Sequence, residues 1–158
     1  MANWYGMARS SYVRVKDPEA FKKYVEMFPA TCITERNPET GEVLYGWYSD
    51  DENGNIPMAW FQEEELEELE KLIPHLFEEE AIDQDHSILD YIHHFFEENE
   101  VMIVLEAGSE KARYVTGSGI AINHEGKHSA IELYSSLIKQ AKEDGLLTDK
   151  SHYTPAEY

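Results

Sequence analysis

Apolar and polar positions alternate along residues 12–16, YVRVK, with the period of two that a half-buried strand shows. The period then changes. Asp17, Pro18 and Glu19 supply an N-cap, a proline at the first helical position and an acid in the first turn. Phe21, Tyr24, Val25 and Phe28 follow at helical spacing, up to Pro29. Short strands are expected at residues 31–35 and along the aromatic run 43–48, VLYGWY. Asn53-Gly54 tolerates the positive φ of a tight turn, so residues 56–61, IPMAWF, are expected to return as the hairpin partner. Pro57 would hold that strand to a sheet edge.

From residue 62 the spacing is helical again. Leu66, Leu69, Leu72, Ile73, Leu76 and Phe77 form one apolar stripe, and Pro74 marks a kink or a break within it. Asp85 is placed to cap a second helix with Ile88, Leu89, Ile92, Phe95 and Phe96 inward. Residues 101–106, VMIVLE, make the most strand-like run, and residues 113–123 read as its antiparallel neighbour, with Gly117 and Gly119 suggesting a bulge. Ser129 to Glu132 carries a capping-box pattern that would open a last helix, with Ile131, Tyr134, Leu137, Ile138 and Ala141 inward and Gly145 as its stop. No repeat, linker or low-complexity block divides the chain. The pattern predicts one α+β domain over residues 1–158, an antiparallel sheet of about five to six strands with helices packed on it. An acidic helical segment would occupy about 62–100.

Composition adds a charge problem. The 158 residues are 42% hydrophobic, with 10 Tyr, 6 Phe and 3 Trp, so the chain is expected to fold despite a formal charge of −19. Residues 1–49 balance six acids with six bases, and residues 101–158 hold eight acids and six bases. Residues 50–100 hold eighteen acids and one base, Lys71. Such asymmetry speaks to partners rather than to fold. Cys32, the single cysteine, has no internal disulfide partner, and no run approaches the about 20 apolar residues of a membrane span. A soluble, cytoplasmic protein without membrane association is the expectation.

Three stretches look alike to known sequences: residues 4–21 (WYGMARSSYVRVKDPEAF), the turn 48–51 (YSDD) and residues 101–123 (VMIVLEAGSEKARYVTGSGIAIN). Together they resemble a family of short acidic proteins encoded on phages, plasmids and other mobile elements, over about half the chain. The family has no assigned activity to carry onto residues. By analogy, the resemblance implies an anti-restriction or anti-CRISPR inhibitor.

The acids themselves support that direction. Six carboxylates lie among residues 63–70. On a helix this is about one charge per 2 Å of axis, beside about one per 1.7 Å for duplex DNA. Glu63, Glu64, Glu65, Glu67, Glu68 and Glu70, continued by Glu78, Glu79, Glu80, Asp83 and Asp85, would then imitate a phosphate backbone. Such a surface could enter the basic groove of a nucleic-acid-binding defence protein, a CRISPR effector or a restriction enzyme. The same run also suits a helix face that is only solvated, on a phage protein that binds some other partner. Direct nucleic-acid binding is disfavoured by the charge.

Other constellations compete less well. His86, His93 and His94 fall beside Asp90, Glu97 and Glu98, and on one helix His86/Asp90/His93/His94 would offer a metal or small-ligand site, although a zinc site calls for a third good ligand. Neighbouring carboxylates would favour the protonated imidazoles. Asp50 to Asn55 fails the spacing of a calcium loop at both ends and reads as a turn. Cys32, Ser10, Ser11 and residues 116–119 lack the context of a nucleophile or a dinucleotide fingerprint, so neither enzyme nor cofactor is expected. Trp4, Tyr5, Tyr45, Trp47, Tyr48 and Trp60 read as packing rather than as a platform for bases. Two copies could pair along the edge strand at 56–61.

Overall fold

The computed structural model describes residues 4–151 apart from 52, 75, 77–83, 111–113 and 150. Its elements run β1 (Trp4–Ser10), α1 (Pro18–Glu26), β2 (Ala30–Arg36), β3 (Val43–Ser49), β4 (Met58–Trp60), α2 (Glu63–Leu72), β5 (Asp85–Ser87), a 3-10 helix (Ile92–Phe95), β6 (Val101–Glu110), β7 (Tyr114–Asn123), β8 (His128–Glu132) and α3 (Leu133–Glu143). Six strands form one antiparallel sheet in the order β2-β3-β1-β6-β7-β8, and β4 and β5 pair separately. This is an α+β fold, as the pattern predicts. Among the described residues no helix is long and apolar enough to cross a membrane.

The core lies on one face of the large sheet. Ala8, Trp47, Met102, Val104 and Ile122 point into it, met by Phe21, Tyr24, Val25 and Phe28 of α1, Leu69 of α2 and the segment Ile88 to Phe96. Asp17 caps α1 by accepting from the N–H groups of Glu19 and Ala20 at 3.0 and 3.1 Å, as its sequence implies. The Tyr24 hydroxyl, fully buried, donates to the Ile88 carbonyl at 2.9 Å and so ties α1 to the 88–96 segment.

Several expectations are corrected. Residues 12–16 form a crossing rather than a strand: Val13 bridges Tyr45 and Val15 bridges Phe96, and both are buried. The first strand is Trp4–Ser10; its residues alternate regularly, with Tyr5, Met7 and Arg9 out and Ala8 and Ser10 in, but apolar Tyr5 and Met7 face outward and polar Ser10 inward, which hides the strand from its polarity pattern. Asn53-Gly54 does not join a hairpin, because β3 pairs with β1 and β2 while β4 pairs with β5. The helix expected after Asp85 is absent. Ser87 Oγ accepts from the Leu89 N–H at 3.2 Å and Asp90 Oδ2 from the Ser87 N–H at 2.8 Å, side-chain bonds that replace the helical pattern. Residues 128–132 are a strand paired with β7, so the capping-box pattern does not start α3, and no residue of α3 is buried. Gly117 and Gly119 mark no bulge, since β6 and β7 keep one-to-one register from Val101–Asn123 to Glu110–Tyr114.

Among the described residues, α3 meets the other face of the large sheet where Leu133 packs beside Gly117, and the rest of that face is uncovered. Tyr5, Met7, Ile103, Leu105, Val115 and Ile131 stand there between 42% and 69% exposed.

Candidate functional site

The acidic surface is organised by α2. Its apolar stripe is shorter than the sequence suggests. Leu69 is fully buried, Leu66 and Leu72 are partly buried, and the helix ends at Leu72, with Ile73 closing it before Pro74. With about 100° of rotation per residue, Glu63, Glu67 and Glu70 fall along one flank of the exposed side, while Glu64, Lys71 and Glu68 fall along the neighbouring line, with Lys71 almost directly opposite Leu69. All six glutamates of the helix are exposed.

They do not all do the same work. Glu65 Oε2 accepts from the Gln62 N–H at 2.7 Å, closing the helix start. Glu63, Glu64 and Glu65 occupy the first turn, where carboxylates offset the positive helix end. The Lys71 ammonium donates to Glu68 at 2.7 Å and pulls that carboxyl below its usual range, with a smaller contribution from Lys23 of α1. Glu63, Glu67 and Glu70 remain as an outward row about 10 Å long, with neighbours about 6 Å apart.

Asp85 joins this surface. It pairs with Trp60 across β4 and β5, the Phe61 N–H donates to the Gln84 carbonyl at 2.8 Å, and α2 begins at Glu63. Asp85 is thus exposed at the foot of the acidic helix. Glu78, Glu79, Glu80 and Asp83 lie outside the described residues. Other acids of the middle third serve local structure. Asp50 accepts from the Thr31 hydroxyl at 2.7 Å, and Asp51 from the Asn53 N–H at 3.1 Å, so this segment is a turn, as its spacing implies. Glu100 binds Arg14 twice, through the backbone N–H at 3.0 Å and Nε at 2.7 Å.

The histidines are not on one helix, which corrects the metal reading. His86 is buried on β5, its ring against Phe61 and Tyr91, with Nδ1 3.9 Å from Asp90 Oδ2 and Nε2 without a hydrogen-bond partner among the described residues. His93 and His94 stack at 4.2 Å. Among the described residues no three His, Cys, Asp or Glu side chains gather to hold a metal ion. The expected pKa direction is also reversed. Burial, then His94 and Lys16, lower His93 to about 4, and burial with Lys16 lowers His94.

Sequence reasoning missed a cavity of about 400 Å³ next to these rings. Ser87, Asp90, His93 and His128 supply its polar wall, Ile120 and Ile122 part of its apolar one. His128 could not be linked to Asp90 and His93 without knowing that β8 pairs with β7. Cys32 is half-buried and its thiol is pushed up by that burial, which disfavours a thiolate nucleophile. Ser10 is buried, with Oγ accepting from the Trp47 N–H at 2.9 Å and donating to the Ser11 carbonyl at 2.8 Å, a structural role.

No family model matches the chain, and no curated protein or solved structure matches it.

Proposed function

We propose that the protein is a non-enzymatic inhibitor that offers α2 to a basic groove built for nucleic acid. The target would be a defence complex of the host cytoplasm, a CRISPR effector or a restriction enzyme, as suits a protein of a phage or other mobile element. The observation that carries the reading is the outward row Glu63, Glu67, Glu70, with Asp85 at its foot, on a helix anchored by Leu69. Carboxylates about 6 Å apart on a packed helix meet a row of Lys and Arg without first being ordered, and their charge steers the approach. The row is shorter than the sequence alone suggests, so affinity would rest on these four groups.

The test is capture from a host extract at low salt, comparing the natural chain with a variant carrying Glu63→Gln, Glu67→Gln and Glu70→Gln. Neutral Gln keeps the helix. A nucleic-acid-binding protein held by the natural chain, displaced by duplex DNA and lost by the variant is the expected result. Retention that is indifferent to the substitutions sinks the reading.

The cavity supports a second reading, a small-ligand binding protein. Its size falls within the range of about 300–1,000 Å³ for ligand pockets, and Asp90 beside two imidazoles on an apolar wall suits a small amine with a hydrophobic body. Titration with benzylamine should move the NMR signals of both the His93 and His128 rings. Unmoved rings at saturating amine would remove this reading.

A further inference from the structure

Among the described residues the sheet has one face covered by the core layer and one that only α3 meets, at Gly117, and this second, bare face is apolar. Antiparallel sheets that meet water on one side normally turn polar residues to it. Here Val101, Ile103 and Leu105 point to the bare side while Met102 and Val104 point to the core, so this strand is apolar on both faces. Across the face Arg9 of β1, Leu105 of β6, Gly119 of β7 and Ile131 of β8 lie in register. A Cβ on Gly119 would sit 3.4 Å from Leu105 Cδ2 and 3.5 Å from Ile131 Cγ1, so the two apolar side chains close over the glycine into one surface. Leu133, which opens α3, extends it beside Gly117, and Leu137, one turn further, is on the same side of that helix. Both are more than half exposed, and α3 has no buried residue at all.

We infer that this face is covered by a second copy of the chain, giving a two-fold dimer in which the bare sheets pack together. Three observations favour a second copy over another partner. The first is area. The six exposed sheet residues, with Val101, Leu133 and Leu137, make nine large apolar side chains. At roughly 100 Å² each they offer on the order of 900 Å², against the about 800 Å² per partner of a standard interface. The second is charge. Arg9 is the one charged side chain among the described outward positions of β1, β6, β7 and β8, and it donates to the Tyr12 hydroxyl at 3.1 Å. A face that carries a single charge over many apolar positions complements itself across a two-fold axis, whereas a basic groove would find no carboxylate there to pair with.

The third is the placement of the acids. Leu69 anchors α2 in the core layer, on the opposite side of the sheet from the bare face. Face-to-face sheets pack about 10 Å apart, and a helical layer adds about as much on each outer side. The two acidic helices then stand about 30 Å apart, well beyond the about 8 Å screening length at physiological salt. Two chains of charge −19 can therefore join through this face and leave both acidic rows outward.

Sedimentation equilibrium of the full chain tests this, with Leu105→Lys as the variant. The natural chain should sediment at twice 18.3 kDa, and Leu105→Lys at 18.3 kDa with unchanged far-UV circular dichroism. Added salt should tighten the dimer by screening the mutual repulsion, the reverse of its effect on a complex held by the acidic row. This separates failure of the dimer from failure of the proposed function. Should Leu105→Lys not fold, Met7→Lys, on the neighbouring strand, replaces it. A natural chain that stays monomeric overturns the inference. So does a dimer that survives the substitution, as pairing along the β8 or β4 edge would.

Discussion

His93 is held neutral. Its ring lies against Gly126, where an added Cβ would be 2.8 Å from Nε2, and burial, followed by the neighbouring His94 and Lys16, lowers its pKa from 6.5 to about 4. Between those values the unfolded chain binds a proton that the folded chain refuses, so stability is full above about pH 6.5 and declines as the pH falls toward 4. Melting temperature should therefore drop from about pH 7.5 to about pH 5, before most carboxylates titrate, and drop less in His93→Asn. Equal drops would contradict this. The sequence suggests the opposite sign, because Asp90 and Glu97 stand at helical spacing from the histidines. In the fold Asp90 accepts from the Ser87 N–H beside His86, and the charges that act on His93 are those of His94 and of Lys16, the latter remote in sequence. The Arg14–Glu100 pair is equally long-range, and no local pattern marks it.

At the scale of elements, the parts legible from the sequence are those whose local pattern agrees with their surroundings. β2, β3, β6, β7 and α1 follow from alternation, β-branched content and the Asp17-Pro18 cap. α2 is legible as a helix whose stripe anchors it, though it stops short of Pro74. Residues 85–96 carry a helical apolar period yet form a strand, a turn and a 3-10 helix. There the Ile88 carbonyl is taken by the Tyr24 hydroxyl and side chains of Ser87 and Asp90 hold the turn, so tertiary contact overrides spacing. Asn53-Gly54 is a turn of another purpose. Gly54 has φ +64°, and a Cβ on it would overlap the Gly6 backbone, so the loop after β3 rests directly on β1. Gly54→Ala should cost about 3 kcal/mol or more in urea denaturation. Gly41→Ala, at φ +73° with open space around it, should cost about 1 kcal/mol. Similar losses at the two positions would argue against that close approach.

Over the whole molecule the asymmetry is double: an acidic layer on one side of the sheet and an uncovered apolar surface on the other. The charge concentration was readable from composition. Its division was not, because which glutamates cap, pair or stand free depends on helix register and on Lys71 and Lys23. The apolar face was hidden for a related reason. Residues 129–141 look like an inward-facing helix until β8 is seen to pair with β7. The dimer and the inhibitor are compatible, since each uses a different side of the sheet. The central claim is that carboxylates of α2 replace phosphates. The measurement closest to it is the dissociation constant of the captured complex as a function of salt, for the natural chain and for Glu63→Gln/Glu67→Gln/Glu70→Gln. A steep loss of affinity between about 50 mM and about 200 mM salt is expected, with the logarithmic slope reduced by about three in the variant, one for each carboxylate removed. A dissociation constant that ignores salt, or one slope shared by both proteins, would contradict it.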